Sequence, residues 1–166
     1  MGCRAQGFSV RPLDQWDRDW VLDVVRGWGG TDYVVSRGRI LRPADLPGFC
    51  AVSATDVPVG LAAYEVVDSH CQLVILEALT RLQGIGTALI DAVKQAAVDS
   101  GCGRLWLITT NDNLDALRFY QRRGFELVAV HRDLRETARR LKPSIPLVGE
   151  YGIPIRDEIE LEMVLV

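Results

Sequence analysis

The segment RLQGIGTAL, residues 81–89, carries an apolar β-type run into two glycines that open a helix. The first amides of a helix have no intrahelical partner, and the helix dipole adds partial positive charge there. Gly84 and Gly86 let a ligand come close to the backbone, so this turn is an anion cradle suited to a phosphate or pyrophosphate. Known phosphate turns differ in the residues that come after the glycines. A P-loop needs a Lys after its second glycine, and none stands here. A dinucleotide turn needs a third small residue to pack helix on strand, and Leu89 occupies that place. The pattern left is Arg81, two spacers, Gly84, one spacer and Gly86.

The elements around this turn interleave. Residues 8–13 read as an opening strand, and Asp14 caps a helix over 15–28 whose Trp16, Trp20, Val24 and Trp28 repeat every four residues and are expected in the core, with one or two of the tryptophans free to line a pocket where the helix meets the sheet. Residues 33–41 fit strand or loop equally. Three β-rich runs up to about residue 79 have short connections and are expected as an antiparallel meander. Residues 84–101 form the clearest helix, with Ile85, Leu89, Ala92 and Ala96 on its apolar face. A buried-type strand at 104–110, a helix at 111–124 and a strand at 125–131 follow. A short helix with Leu134, Ala138 and Leu141 ends before Pro143, and 158–166 alternates Glu with apolar residues as a last strand. This order predicts an α/β layer fold in one domain spanning 1–166.

The helix after the strand at 104–110 carries another pattern: Asn113, Ala116, Phe119, Tyr120, Gly124 and Phe125 fill N-x-x-A-x-x-[F/L]-Y-x-x-x-G-F without a gap. The two motifs flank the strand at 104–110. In that order and separation they resemble the GNAT superfamily of acyl-CoA N-acyltransferases, most specifically over residues 73–130. The resemblance implies a mixed, mostly antiparallel sheet of six to seven strands, splayed at its centre and flanked by helices. It also implies acetyl-CoA as acyl donor, and no metal.

Carried over residue by residue, the resemblance places the donor's pyrophosphate on the amides of Gln83, Gly84, Ile85, Gly86 and Thr87, with Arg81 beside them. The pantetheine arm would pair with the backbone of Leu76 and Ala78, where the family often has Pro in place of Ala78. Asn113 would bond the arm from the opposite side. Such a cleft requires strands 73–79 and 104–110 to part, which a β-bulge would do. Tyr120 is the family's usual acid for the departing thiolate, and a phenol of pKa about 10 stays protonated at neutral pH.

Amine attack on a thioester also needs deprotonation of the amine. For a lysine-like ammonium this costs about 4.6 kcal/mol at pH 7. His70 and Glu77, at the two ends of the strand leading to the turn, are candidate bases, and a water relay is the third option. The acceptor would enter beside residues 28–41 and 132–158. Arg132, Arg135, Arg139, Arg140 and Lys142 there read first as a solvated helix face, or else as a grip on an acidic acceptor. Asp157 and Glu158 could hold a cationic one.

The chain has 166 residues, a net charge of −3 and 48% hydrophobic residues, which argues against disorder and makes nucleic acid a poor candidate partner. No apolar run reaches the length of about 20 residues that spans a bilayer. The N-terminal MGC lacks the Ser or Thr at position 6 that lipidation wants, since Gln6 stands there. Cys3, Cys50, Cys71 and Cys102 show no zinc spacing, so reduced thiols in a cytoplasm are expected. The expected function is acetyl transfer to the primary amine of a small molecule or peptide, by direct attack in a ternary complex. The alternatives are a non-catalytic acyl-CoA sensor and, less compatible with Leu89, a nucleotide-binding module. A second copy of the chain is a candidate partner.

Overall fold

The computed structural model describes residues 7–80, 84–132 and 134–166. Its main sheet has seven strands in the order β1-β4-β5-β6-β7-β9-β8. These are β1 (Phe8–Pro12), β4 (Gly48–Ser53), β5 (Pro58–Val67), β6 (His70–Ala78), β7 (Arg104–Thr110), β8 (Glu126–His131) and β9 (Glu158–Val164). Every neighbouring pair is antiparallel except β6 and β7. Helix α2 (Ile85–Asp99) makes the crossover between those two parallel strands. The meander of β4, β5 and β6 is as expected from its short connections.

The parallel pair lasts for three residues. His70, Cys71 and Gln72 face Arg104, Leu105 and Trp106, and beyond them the strands separate. The register of β5 on β6 shifts at the same level: Tyr64 faces Leu73 and Ala63 faces Ile75, leaving Val74 as an extra residue. An extra residue bends its strand and raises its twist. The expected parting of the two strands is therefore present, with its bulge.

One sheet face packs α2 through Ile85, Leu89, Ile90, Val93 and Ala97 against Ala51, Ala62, Leu73 and Leu105. The buried stripe is rotated from the expected one. Ala92 and Ala96 flank it, because the larger Ile90 and Val93 take the sheet-facing places. The other face packs Val21 and Val25 of α1 (Arg18–Arg26) against Leu61, Ala63 and Ile75.

The tryptophan stripe is corrected by the structure. Trp16 is 83% and Trp28 40% exposed, and of the stripe Trp20 and Val24 join that core, partly buried. A four-residue spacing advances about 40° per step on a helix of 3.6 residues per turn, so the ends of the stripe lie about 120° apart. The helix also begins as a 3₁₀ turn over Gln15–Asp17 and ends at Arg26.

Residues 33–41 form a hairpin, β2 (Val34–Ser36) and β3 (Arg39–Leu41), turned by Arg37 and Gly38 with φ of 51° and 74°. Positive φ at both turn residues is the type I′ geometry of a two-residue loop. The hairpin lies over the sheet. Gln72 Nε2 donates to Ser36 Oγ at 2.9 Å, Arg37 N donates to Glu158 Oε2 at 3.0 Å, and Arg39 pairs with Glu65 at 3.1 Å. Glu158 and Glu160 of β9 are buried, Glu158 under this hairpin and Glu160 against Arg104 and His131, while Glu162 is partly exposed. Burial raises the pKa of Glu158, and the Arg37 amide opposes it. Burial would also raise Glu160, but hydrogen bonds from Arg104 and His131 carry it below its ordinary value. Arg104 also bonds Glu162.

Helix α3 (Leu114–Gln121) starts at Asn113, and α4 (Leu134–Leu141) ends before Pro143 as expected. Cys50, Cys71 and Cys102 are buried free thiols, and Cys3 lies outside the described residues. Among the described residues no helix is long and apolar enough to cross a membrane.

The junction of β1 with α1 rests on one ion pair. Arg11 donates to both oxygens of Asp17, at 2.7 and 2.9 Å, and Asp17 accepts from the Asp14 amide in a capping box. The Arg11 hydrogen bond holds the Asp17 carboxyl below its ordinary value of 3.8. A lowered carboxyl stabilises the fold fully above its unfolded pKa and less as pH falls through the folded one. Asp17→Asn is expected to cost about 1–3 kcal/mol at pH 7. Urea titrations should show this gap shrinking as pH drops below about 4, and equal stability at pH 7 would contradict it.

Candidate active site

Gly84 caps α2 in the left-handed region, at φ 73°, with open space where a Cβ would be. That conformation favours glycine. The first intrahelical bond runs from Ala88 N to Gly84 O, so the amides of residues 85–87 precede the ladder. A Cβ on Gly86 would lie 2.8 Å from Cζ of Phe119, so the absent side chain lets α3 approach α2.

Between these helices runs a groove of about 670 Å³. Leu76, Ala78, Gly84, Ile85, Gly86 and Thr87 line one side, and Phe119, Tyr120 and three arginines the other. Arg118, Arg122 and Arg123 were not singled out by the sequence patterns. Arg123 stacks 3.5 Å above the Phe119 ring and donates to Thr87 Oγ1 at 2.9 Å, which ties α3 to the glycine turn. Arg81 and Gln83 lie outside the described residues.

A second cavity, of about 410 Å³, opens where β6 and β7 part. Leu73 to Glu77 and Leu107 to Thr109 form its strand walls, with Trp28, Asn113 and Glu150 around them. Leu76, Ala116 and Tyr120 line both spaces. The groove and the cavity therefore share one wall, at the point where the sheet is open.

Tyr120 packs edge-on against Phe119 and Phe125 at 5.2 and 5.4 Å between ring centres. Burial raises its phenol above the ordinary value, so it remains an O–H donor throughout the neutral range. Asn113 is the N-cap of α3: its Oδ1 accepts from Ala116 N at 3.2 Å, which leaves the amide nitrogen as the donor on the cavity side. Glu77 is half-buried on the cavity wall, where its Oε2 accepts from Trp28 Nε1 at 2.8 Å.

The structure does not bring His70 to this place. It is exposed at the start of β6, where the strands still pair, seven residues and roughly 23 Å of strand from Glu77. Glu158 is likewise spent elsewhere, under the hairpin. The basic segment after β8 is not simply a solvated face. Arg139 donates to the carbonyls of Ile145, Pro146 and Ile155, and buried Lys142 donates to Trp28 O at 2.7 Å. Burial lowers the Lys142 pKa.

Trp28 and Glu150 fall in the two segments expected to face the acceptor, 28–41 and 132–158, but neither was singled out there as a site residue. Trp28 carried a signal, since a helix-end aromatic outside the buried phase is free to face a cleft. Glu150 carried none, because its place depends on contacts distant in sequence. Among the described residues no cluster of three or more His, Cys, Asp or Glu is arranged to hold a metal.

Comparison with known proteins agrees with this geometry. YdhI, an uncharacterized protein of Bacillus subtilis (strain 168), is 43% identical over 138 residues, covering 83% of this chain and 86% of that one. The IAA acetyltransferase from Bacillus cereus ATCC 14579 superposes with a TM-score of 0.72 at 20% identity, over 95% of this chain and 99% of that one. A GNAT family acetyltransferase from Elizabethkingia anophelis, solved with acetyl-CoA bound, gives 0.68 at 18% identity, over 96% and 99%. The profile of the acetyltransferase (GNAT) family matches residues 13–125 of the 166, across both motifs and the parted strands, and the chain belongs to that family.

Proposed function

We propose that the protein transfers an acetyl group from acetyl-CoA to a primary amine, by direct attack while both are bound. The observation that carries this reading is the shared wall at Leu76, Ala116 and Tyr120 between the arginine-flanked groove and the cavity. The groove suits the donor. The amides of residues 85–87 and Arg118, Arg122 and Arg123 offer donors to phosphates, and the open edge of β6 offers peptide groups to the pantetheine arm.

The acceptor amine enters from the cavity. An ammonium gives up its proton before attack, and Glu77, on the cavity wall, is the carboxylate placed to take it directly or through water. The amine nitrogen forms a bond to the acetyl carbon as the carbon–sulfur bond breaks. A backbone amide of parted β6 stabilises charge on the carbonyl oxygen. The nitrogen loses its second proton as the acetamide forms; the Tyr120 hydroxyl passes its proton to the leaving sulfur and is reprotonated, by way of solvent, with that second proton, while the proton taken by Glu77 is released to solvent. The products are the acetamide, free thiol and one proton. The test is thiol release from acetyl-CoA against a panel of amines, amino acids and peptides. Release that depends on the amine supports the reading; binding of acetyl-CoA without release against any of them favours a sensor.

Two variants separate binding from chemistry. Gly86→Val places a side chain into Phe119 and the groove, and the acetyl-CoA dissociation constant by calorimetry is expected to rise by about tenfold or more. In the parent, acetyl-CoA at a hundred times its dissociation constant should add about 2.7 kcal/mol of stability. Unchanged affinity in the variant would place the phosphates elsewhere. Tyr120→Phe keeps the ring and removes the acid, so kcat should fall about 10²–10⁴-fold with acetyl-CoA affinity little changed. An unchanged kcat would make Tyr120 a packing residue.

A further inference from the structure

The cavity side of the site holds two carboxylates, Glu77 and Glu150, and no basic side chain lines it among the described residues. Neither carboxylate has a salt-bridge partner among those residues. The nearby ammonium of Lys142 is turned away, onto the carbonyls of Trp28 and Tyr33. Glu77 already accepts from Trp28 and stands on β6 at the reacting wall. Glu150 comes from the opposite side, on the segment between α4 and β9.

Glu150 is exposed at the cavity rim, and the backbone that carries it is held there by construction. Its amide donates to Asp112 Oδ2 at 2.9 Å, and Asp112 is only 5% exposed. A Cβ on Gly149 would lie 2.0 Å from that same oxygen, so a side chain at this position would push the turn away. Tyr151 is in the left-handed region at φ 56°, a conformation disfavoured for a bulky residue, and its hydroxyl donates to Asp115 Oδ1 at 2.7 Å. Gly149 N closes the turn on Ile153 O at 2.8 Å. The other oxygen of Asp112 is buried with no hydrogen-bond partner among the described residues. Burying a carboxylate this way is unfavourable for stability. Its evident consequence is a fixed turn that carries Glu150 at the cavity.

We infer that Glu150 is the acceptor-specificity residue, positioned by Asp112, and that it selects an amine bearing a second cationic group, a diamine or polyamine-like molecule. This rests on the acetyltransferase reading of the site. The reacting ammonium lies toward Glu77 and Tyr120, and the second, non-reacting ammonium pairs with Glu150. An acceptor bearing a carboxylate at that second position meets like charge instead.

Three probes of one chain length isolate the second group: 1,4-diaminobutane, 1-aminobutane and 4-aminobutanoate. Calorimetry on CoA-saturated protein should give binding about tenfold or more tighter for the diamine than for the monoamine, with the amino acid weakest. Glu150→Gln should bring the diamine to monoamine ratio to within about threefold of one. Asp112→Ala should lower the same ratio in kcat/KM. This ratio is independent of how much of the preparation is folded, so a merely structural loss would leave it unchanged. Equal binding of the three amines, or a diamine advantage that survives Glu150→Gln, would overturn the inference. The two readings fail differently. Glu150-dependent diamine binding without thiol release keeps this assignment and removes the transferase. Thiol release with no preference among the three amines keeps the transferase and removes this assignment.

Discussion

The structure depends on three residue pairs. β6 and β7 are joined only through His70, Cys71 and Gln72, and past that point each strand continues without the other. A parallel pair that ends in mid-sheet leaves backbone donors and acceptors facing a gap. Such groups are satisfied by water or by a ligand. The extra residue at Val74 bends β6 away from β7 at that level, and the strands then lead to different helices. One runs toward α2 and its glycine turn, the other into α3 with Asn113 and Tyr120. The opening thus places an anion cradle, an open strand edge and a phenol around one space.

The second side of that opening is built by polar stitching rather than by a continuous core. Lys142 fastens the end of α1 to the segment after α4, Gln72 and Glu158 fasten the hairpin, and Asp112 fastens the turn at Glu150. Each stitch is a buried polar or charged group bonded to backbone or to a short side chain. These contacts fix direction more sharply than apolar packing does, which suits walls that must present Trp28 and Glu150 at set places. They also carry a pH signature. Because Glu158 has a raised pKa, its ionisation opposes folding as pH rises from its unfolded value through its folded one.

The donor half of the site was legible in the sequence because it is local. Gly84 and Gly86 define a strand-to-helix turn within three residues, and Asn113 and Tyr120 sit on one short helix whose pattern carries the family resemblance that gives them their roles. The parted pair and its bulge came with the family resemblance that this stretch carries, while the strand order is seen only in the structure. The acceptor half was legible only as two segments, 28–41 and 132–158, and not residue by residue, for a physical reason. Trp28 and Glu150 stand 122 positions apart, and the contacts that place them, such as Asp112 on the Glu150 amide, leave no periodicity. The tryptophan stripe shows the limit of periodicity itself. A four-residue repeat looks helical, but it drifts around the helix until Trp16 and Trp28 leave the buried side, one for solvent and the other for the cavity. His70 matched by residue type and strand, but it stands on the paired end of β6, where there is no cleft.

The central claim is that donor and acceptor meet across one shared wall, with no covalent stop on the protein between them. Initial rates of thiol release, measured while acetyl-CoA and 1,4-diaminobutane are varied together, test it most directly. Two adjoining spaces filled at once give double-reciprocal lines that intersect. Parallel lines, with an acetylated enzyme detected by mass spectrometry when acetyl-CoA is added alone, would contradict the account.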